Sequence, residues 1–395
     1  MSGPGRILFV APVEPWCREN GSSLITADLL DALAHTDVDL MPVFIRPPPP
    51  GYEREPPPRR EGQLLDIPGL PRWKSRVTAL EHLDFPLRYR FDNGYVARRL
   101  LEAVKQADFR PDLVHVEHLP LVDLGSEVAR TLGVPLVYRA HNIEARLWAR
   151  RLGGPEWLKK PVVARIETSE ADAVRLADLT LLISEGDRAW ARERAPSERC
   201  ELLPCTLRLQ RYDAVPRRPP VFDRQICFVG GLDWAPNEDG LRWFVDAVLP
   251  RITARLPDAG LVVLARGATE RSWLVDHPSV HLLPAESRAA EVFASSHVSV
   301  APLFQGGGVR IKIPESLAVE CPVVATRIGA EGHDLPGLTR TDEAGPFAEA
   351  CLGYLSPTEG REELKTRLRS EVEAHYGAEG HADRLVELWR TTAAG

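Results

Sequence analysis

Short apolar runs alternate with helix-length stretches along nearly the whole chain of 395 residues. The runs are uniformly apolar instead of alternating, which is typical of parallel strands covered by helices on both faces. The predicted strands are Ile7–Ala11, Leu40–Ile45, Leu113–Val116, Leu136–Tyr138, Leu179–Ile183, Glu201–Leu203, Ile226–Val229, Leu261–Leu264, Val280–Leu283, Val298–Ala301 and Val323–Thr326.

Repeated alternation of strands and helices predicts an α/β fold with doubly wound parallel sheets. A single sheet of about a dozen strands would be unusually large, so we expect two sheets of about six strands each. The proline-rich stretch Gln210–Val221 marks the divide, because prolines cannot donate ladder hydrogen bonds. We predict an N-terminal domain over 1–209, a linker over 210–221 and a C-terminal domain over 222–372. A final helix over 373–395 is expected to return to the N-terminal domain.

Three further segments have a clear pattern. The proline-rich stretch Arg46–Glu61 predicts an exposed, extended loop. Leu24–Leu33 predicts a helix after the first strand, and Arg361–Ala393, rich in Glu, Arg, Leu and Ala, predicts an amphipathic helical ending.

Composition narrows the class of protein. The chain is 44% hydrophobic and 27% charged, as soluble globular proteins are, and its net charge of −7 argues against a nucleic-acid binder. Its six cysteines include no CxxC pair, which predicts reduced core residues and neither a zinc site nor a disulfide framework. The first residues pass directly into a strand-like run, so we expect no signal peptide, and no apolar stretch reaches the ~20 residues of a membrane span. These features predict a cytoplasmic protein.

The segment Phe304–Ala318 (FQGGGVRIKIPESLA) carries the clearest chemistry. It follows a predicted strand, at the sheet edge where ligands of open parallel sheets bind. Its three glycines let a ligand approach the backbone, and Arg310 and Lys312, two apart in an extended lead-in, could project to one side of the chain. A helix over Ile313–Val319 would add the positive end of its dipole, so the segment predicts a diphosphate site. Glu315 would then accept hydrogen bonds from ribose hydroxyls. The alternative is a glycine loop with two solvated cations and a Glu that complements the dipole.

The wider sequence resembles a known family. The run GGGVRIKIPESLAVECPVVATRIGAEG, from Gly306 to Gly332, resembles the donor-binding core of retaining glycosyltransferases with the GT-B fold, the large family that includes sucrose and sucrose-phosphate synthases and many bacterial mannosyl- and glucosyltransferases. FVGGLDWAPNEDGLRWF resembles the start of the second domain in one subgroup. RILFVAPVEPWCRENGSSLITADLLDAL, DLVHVEHLPL, VYRAHNIEARLWARR and LLISEGDRAW follow the family's order in the first half. The resemblance implies two Rossmann-like domains facing a central cleft.

The resemblance assigns roles on the donor side. Glu315 matches the second glutamate of the family's E-x7-E motif, which holds the donor ribose, whereas the first glutamate falls at Gly307 and is missing. The family's basic pair falls near Gly231 and Pro236, neither of which is basic. Arg310 and Lys312 are the best replacements for that pair. The remaining expected donor-binding residues are Gly21, Ser22, Gly230, Gly231, Arg266, Leu283, Gly306, Gly307, Gly308 and Val309.

The acceptor side is expected in the first half. His141 resembles the family histidine beside the transferred sugar, and its alternative is a hydrogen-bonded loop histidine. Ser22 either approaches the donor phosphates or is a helix N-cap. In the HVEH run, strand alternation would place His115 and Glu117 on one face and point His118 away, so no metal site is predicted. The expected acceptor-side residues are Glu117, His118, Asn142 and Ser184.

The resemblance implies a function. It is front-face, metal-independent transfer of a sugar from a nucleotide-diphosphate sugar to a hydroxyl-type acceptor, with Arg310, Lys312 and His141 as candidate catalytic residues and no cofactor. The expected partners are the nucleotide sugar and an acceptor that the sequence does not identify. Nucleic acid is not expected, membrane contact would be at most peripheral, through the basic and aromatic segment Trp73–Lys105, and the oligomeric state is not indicated. The alternatives are a catalytically degenerate GT-B protein that binds a sugar nucleotide or a partner, and a GT-B sugar-nucleotide epimerase.

Overall fold

The computed structural model describes residues 5–17, 21–46, 63–65, 93–152, 154–196, 199–284, 287–305, 309–333, 335, 338–356 and 361–395. Contacts divide the chain into two compact units. The first unit comprises Met1–Leu207 and Ala378–Gly395, and the second comprises Arg208–Gly377.

The first unit contains a seven-stranded, fully parallel sheet in the order β3-β2-β1-β4-β5-β6-β7. Its strands are β1 (Arg6–Val13), β2 (Asp39–Arg46), β3 (Gln63–Leu64), β4 (Leu113–Glu117), β5 (Leu136–Ala140), β6 (Leu179–Leu182) and β7 (Cys200–Leu202). The strand order reverses between β1 and β4, and a reversal of this kind opens a crevice at the carboxyl ends of the strands.

Helices cover both faces of this sheet. They are α1 (Gly21–Leu33), α2 (Asn93–Gln106), α3 (Val122–Leu132), α4 (Glu144–Arg151), α5 (Glu156–Leu176) and α6 (Glu185–Arg194), with 3₁₀ turns at Pro15–Cys17 and Leu119–Leu121. Residues of β1 alternate between two apolar clusters: Ile7 and Phe9 lie in one, and Leu8 and Val10 lie in the other. Burial on both faces explains why the strand sequences are uniformly apolar.

The second unit contains a six-stranded parallel sheet in the order β10-β9-β8-β11-β12-β13. Its strands are β8 (Arg224–Val229), β9 (Ala259–Leu264), β10 (Val280–Leu282), β11 (Val298–Ala301), β12 (Val323–Ala325) and β13 (Leu338–Arg340). Its helices are α7 (Ala235–Trp243), which continues through a π-helical turn (Phe244–Val248) into α8 (Leu249–Thr253), then α9 (Ser272–Val275), α10 (Ala289–Ala294), α11 (Lys312–Ala318), α12 (Ala344–Leu355) and α13 (Arg361–Tyr376), with 3₁₀ turns at Leu209–Tyr212 and Ala268–Glu270. The order again reverses beside β8, so its crevice lies between β8 and β11.

The last helix, α14 (Ala378–Ala394), packs in the first unit, where Leu385, Val386 and Trp389 join the apolar cluster that contains α1. The predicted helical ending is therefore two helices, which meet at Gly377. All of the strands predicted from apolar runs are present. The sequence did not predict β3 and β13, because β3 has only two residues and two of the three residues of β13 are polar, so neither forms an apolar run.

Two sequence predictions fall largely on residues outside those described. They are the proline-rich loop beyond Arg46 and the part of the basic, aromatic segment before Asn93. The cysteines at 200, 205, 227, 321 and 351 are buried with free thiols. Across the described ranges, we find no helix with the length and apolarity of a membrane span.

Candidate functional site

Four polar side chains meet in the first unit, at the carboxyl ends of three neighbouring strands. Ser22 lies in the first turn of α1, which follows β1. Glu117 ends β4, His118 follows it, and His141 follows β5. Because β4 lies between β1 and β5 in a parallel sheet, the chain segments that follow these strands emerge at one edge. This group is called the Ser–His–Glu cluster below.

The cluster is joined by a continuous series of hydrogen bonds. Ser22 Oγ lies 2.8 Å from His118 Nε2 and 3.1 Å from His141 Nδ1, and His141 Nε2 bonds to a Glu117 carboxylate oxygen. An ionised carboxylate can only accept, so His141 Nε2–H donates to it. With that single ring proton, His141 Nδ1 accepts from the Ser22 hydroxyl, and Ser22 Oγ accepts from His118 Nε2–H. The two imidazoles also stack, with ring centres 3.9 Å apart.

Glu117 is fully buried, and its charge is held by neighbours. Burial opposes ionisation, but the guanidinium of Arg139 and the two hydrogen-bonded imidazoles hold the pKa of the Glu117 carboxyl well below its usual range. Arg139 Nη1 lies 3.6 Å from Glu117 Oε1, and Arg139 Nη2 donates to the Pro204 carbonyl oxygen and to Thr206 Oγ1. Glu117 is therefore an anion that can orient His141.

His118 corrects one sequence expectation. Strand alternation predicted that its side chain points away from Glu117, but His118 has a φ of 72°, in the left-handed region. This backbone turn ends the strand alternation, so the ligand atoms of Glu117, His118 and His141 lie within 4.8 Å of one another. Two imidazoles and a carboxylate could hold a metal ion such as zinc. The convergence removes the reason for which the sequence predicted no metal site; in the structure the three side chains are joined through Ser22 by hydrogen bonds.

The other candidate residues of the first unit lie near the cluster or form hydrogen bonds with the backbone. Gly21 begins α1, so Ser22 is inside the helix and is not its N-cap. Asn142 is half-buried in the turn after β5. Ser184 is the N-cap of α6, where its hydroxyl accepts the Asp187 amide proton over 3.1 Å. Ser184 therefore has a structural role in starting this helix.

Sequence reasoning missed Glu170, which braces the turn that follows His141. This buried carboxylate, in the middle of α5, accepts the backbone N–H groups of Glu144 and Ala145 at 2.5 and 2.9 Å. Burial raises the pKa of Glu170 to about 8, although these two hydrogen bonds act in the opposite direction. The available signal was an acidic residue on the apolar face of a helix, four residues after Ile166.

In the second unit, Lys312 lies at the carboxyl end of β8. It is the first residue of α11, its Nζ donates to the Val229 carbonyl oxygen over 3.2 Å, and it lies 4.8 Å from the centre of the Phe228 ring. The extended lead-in predicted for Arg310 and Lys312 is wrong, because Ile311 between them is helical, with φ −55° and ψ −30°. Burial, and then the charge of Arg310, lowers the pKa of Lys312 to about 7. A bound anion would favour its charged form.

Arg310 and Glu315 flank Lys312. The Arg310 guanidinium lies 5.1 Å from the centre of the Trp234 ring, and its backbone N–H lies 3.1 Å from His333 Nε2. The Glu315 carboxylate accepts a hydrogen bond from the Tyr212 hydroxyl, and the two oxygens lie 3.0 Å apart. This contact shows that Glu315 is placed to accept from a hydroxyl group.

The remaining donor-side candidates occupy strand ends and a glycine turn. Leu283 follows β10, and its amide donates to the Val263 carbonyl oxygen over 2.9 Å. Arg266 forms an exposed ion pair with Asp233 at 3.1 Å. Val309 is half-buried immediately before Arg310, and Gly306, Gly307 and Gly308 lie outside the described residues.

Asn237 braces the glycine turn formed by Gly230 and Gly231. Its side-chain amide donates to the Gly231 carbonyl oxygen over 2.8 Å, and a Cβ placed on Gly230 would lie 2.9 Å from Asn237 Nδ2. Asn237 lies inside α7, whose N-cap is Trp234, so its side chain braces this turn and does not cap the helix.

Two family models match the chain. The model described as "Glycosyl transferase 4-like domain" matches residues 20–206, and the model described as "Glycosyl transferases group 1" matches residues 223–356. A curated Klebsiella pneumoniae protein, named an uncharacterised 44.6 kDa protein in the cps region, is 25% identical over 171 residues. That alignment spans 39% of this chain and 44% of the Klebsiella protein, less than half of either.

Solved structures match along the whole chain. Sucrose-phosphate synthase from Thermosynechococcus elongatus is 16% identical with a TM-score of 0.72, over 98% of this chain and 99% of that one. Anabaena HepE in complex with UDP-glucose is 15% identical with a TM-score of 0.62, over 98% and 99%. A trehalose 6-phosphate synthase from Burkholderia multivorans is 17% identical with a TM-score of 0.67, over 99% of each chain. At these identities the likeness establishes the fold, and the predicted GT-B class with two Rossmann-like parallel-sheet domains is confirmed.

Proposed function

Because this chain belongs to the group 1 glycosyltransferases, we propose that it moves a sugar from a nucleotide-diphosphate sugar to an acceptor hydroxyl, with retention of configuration and without a metal. HepE, which has the same fold, was solved with UDP and with UDP-glucose, and this supports a sugar nucleotide as the donor. The acceptor is proposed as a hydroxyl compound of unspecified class.

The observation that carries the proposal is the position of Lys312. Its ammonium group lies at the carboxyl end of β8, beside the strand reversal of the second sheet, and a single backbone carbonyl accepts its hydrogen bond among the contacts described. Ligands of open parallel sheets bind at such an edge. A diphosphate there would meet a cation whose charged form it stabilises.

The proposed step needs charge stabilisation more than a nucleophile from the protein. The bond between the anomeric carbon and the phosphate oxygen breaks, and its electron pair stays on that oxygen. The acceptor hydroxyl oxygen bonds to the anomeric carbon on the same face, and its proton passes to the leaving phosphate oxygen. Lys312 and Arg310 would stabilise the negative charge that develops on the diphosphate. One well-placed donor of this kind typically lowers the activation free energy by about 3 kcal/mol.

Glu315 and His141 have binding roles in this proposal. Glu315, which accepts a hydrogen bond from the Tyr212 hydroxyl, would accept hydrogen bonds from the ribose hydroxyls. His141 would bind a polar group of the transferred sugar. Its ring is fixed because Glu117 holds Nε2 and Ser22 holds Nδ1. A sugar hydroxyl would take the place of Ser22 and donate to Nδ1, and a ring held in advance costs little reorganisation when the reaction occurs.

The test is a panel of nucleotide sugars, each incubated with the protein in the presence of EDTA, with and without pools of hydroxyl acceptors. We expect free nucleotide to appear in acceptor-dependent amounts for at least one donor. NMR coupling constants of the purified product should show the anomeric configuration of the donor. An inverted product would contradict retention, and activity that EDTA abolishes and a divalent ion restores would contradict metal independence.

A second candidate is a degenerate protein that binds a sugar nucleotide without transferring the sugar. The motif positions favour it, because the first motif glutamate and both family basic positions are replaced, at Gly307, Gly231 and Pro236. In that case calorimetry would detect binding of a nucleotide sugar, whereas no donor and acceptor pair would release nucleotide.

A further inference from the structure

Glu117 uses its two carboxylate oxygens for different partners. One oxygen accepts from His141, and Oε1 lies 3.0 Å from His115 Nε2 and 3.6 Å from Arg139 Nη1. His115 precedes Glu117 by two residues on β4, so both side chains lie on the same face of the strand. The contacts of His115 therefore bear on the orientation of the carboxylate.

His115 is held from its other side by the last helix. The indole Nε1–H of Trp389, in α14, donates to His115 Nδ1 over 3.1 Å. The two rings meet edge to face with centres 5.4 Å apart, and His115 stacks on Phe9 at 4.7 Å. His115 has no exposed surface, and Trp389 is 1% exposed.

The chemistry of the indole selects one tautomer of His115. An indole nitrogen can only donate, so His115 Nδ1 must accept and its single ring proton must lie on Nε2. That proton faces the Glu117 carboxylate. Were the proton on Nδ1 instead, two N–H groups would face each other at Trp389, and the lone pair of Nε2 would face a carboxylate oxygen.

We propose that Trp389 is a positioning residue for His141, acting through His115 and Glu117. By fixing His115 as the Nε2–H tautomer, it gives Glu117 Oε1 a hydrogen-bond donor and leaves the other oxygen to accept from His141. The C-terminal helix thus acts on the orientation of His141 through His115, which lies 274 residues from Trp389 along the chain. The role of His141 rests on the proposed function, whereas the tautomer of His115 does not.

The kinetic test separates the hydrogen bond from packing. Trp389→Phe keeps an aromatic ring but removes the N–H donor. We expect kcat to fall about tenfold with little change in KM, because loss of a hydrogen bond that orients a functional side chain typically has an effect of about this size. His115→Gln keeps a donor towards Glu117, whereas His115→Phe keeps a ring without one. We expect His115→Gln to retain several-fold more activity than His115→Phe.

A double-mutant cycle shows whether Trp389 acts through His115. In the His115→Phe background, Trp389→Phe should have almost no further effect on kcat, because the hydrogen bond is already absent. Leu385→Ala is the control for packing, since Leu385 is a fully buried apolar residue of the same helix and cluster. It should lower stability while leaving kcat per folded molecule unchanged.

The tautomer is measured without substrate. In protein labelled with ¹⁵N-histidine, with His115→Gln used to assign the signals, His115 should show the neutral Nε2–H pattern in the wild type. In Trp389→Phe the Nδ1 signal should move towards the shift of an imidazole nitrogen that accepts no hydrogen bond. An Nδ1–H pattern in the wild type would overturn the proposal, as would a folded Trp389→Phe variant with wild-type kcat. If no nucleotide sugar is turned over, the proposed function fails while the nitrogen shifts still decide the tautomer.

Discussion

The two units present polar residues at the carboxyl ends of similar parallel sheets, but they hold them differently. In the first unit, a buried carboxylate, three imidazoles, a hydroxyl and an indole are joined by successive hydrogen bonds. In the second unit, the Lys312 ammonium is held mainly by a backbone carbonyl and an aromatic face. The first arrangement fixes geometry, and the second leaves a charge that responds to a ligand.

The difference indicates a division of labour in the proposed reaction. A network whose members all have partners is rigid, and it loses much of its stability when one member is removed. A partly buried lysine with a lowered pKa can gain its full charge when an anion binds. Substitutions in the first unit should therefore act mainly on stability and on the orientation of His141. Substitutions at Lys312 should act mainly on the interaction with a negatively charged ligand.

The largest effect should follow from Glu117→Gln. The substitution keeps the shape but leaves the buried Arg139 guanidinium without its carboxylate, and breaking a buried pair in this way costs about 3–5 kcal/mol. Urea unfolding of the first unit should show this loss. The exposed pair of Glu185 and Arg188 is a matched control, since Glu185→Gln should change stability by less than about 1 kcal/mol.

The same carboxylate gives a pH dependence with a defined sign. The pKa of Glu117 is lower in the folded state than in the unfolded chain. The ionised carboxylate therefore contributes its full stabilisation at pH values above the pKa of Glu117 in the unfolded chain. The contribution should be lost as the pH falls through the lower folded pKa. Wild type should therefore approach the stability of Glu117→Gln under acid conditions, and a constant difference from pH 7 down to acid unfolding would contradict this assignment.

Lys312→Met should have the next largest effect. It removes the charge while keeping an apolar stem against Phe228, and we expect kcat to fall by about 100-fold or more, since one donor to transition-state charge contributes about 3 kcal/mol. Initial rates at saturating donor measure it. Arg255→Met is the control, because Arg255 lies in the same unit, is 58% exposed and is paired with Glu349. Turnover near that of wild type in Lys312→Met would rule out the assigned role.

A smaller effect is expected on the pH dependence of nucleoside-diphosphate binding. Lys312, with a pKa of about 7, must take up a proton when it binds an anion above that pH, so affinity should fall by up to about tenfold per pH unit between about pH 7 and 8. Calorimetry in buffers of different ionisation enthalpy would measure this proton uptake. Lys312→Arg should abolish the uptake, since arginine stays charged. Equal uptake in Lys312→Arg would show that another group titrates.

The contrast between the units also explains what the sequence could predict. Uniform apolar runs identified the strands other than β3 and β13. Leu283 ends one of these runs, and Glu117 and His141 follow two others, because strand ends are local features. The convergence of the Ser–His–Glu cluster was not predictable, since it depends on the left-handed backbone at His118 and on contacts across neighbouring strands. Trp389 gave no local signal, because its partner His115 lies 274 residues away along the chain. Glu170 gave only the signal of an acidic residue on an apolar helix face, and its backbone partners lie 26 or fewer residues away.

The smallest effect is expected at Ser184, which was predicted on the acceptor side of the first unit. Its hydroxyl caps α6 through the Asp187 amide, so Ser184→Ala should cost about 1 kcal/mol of stability. The acceptor KM and kcat should stay unchanged, because the Ser–His–Glu cluster fixes its own orientation through buried hydrogen bonds. Ser184→Asp, which restores a cap, should recover the stability. A rise of several-fold in acceptor KM for Ser184→Ala, with stability intact, would instead place this hydroxyl in the acceptor site and extend the fixed part of the first unit to α6.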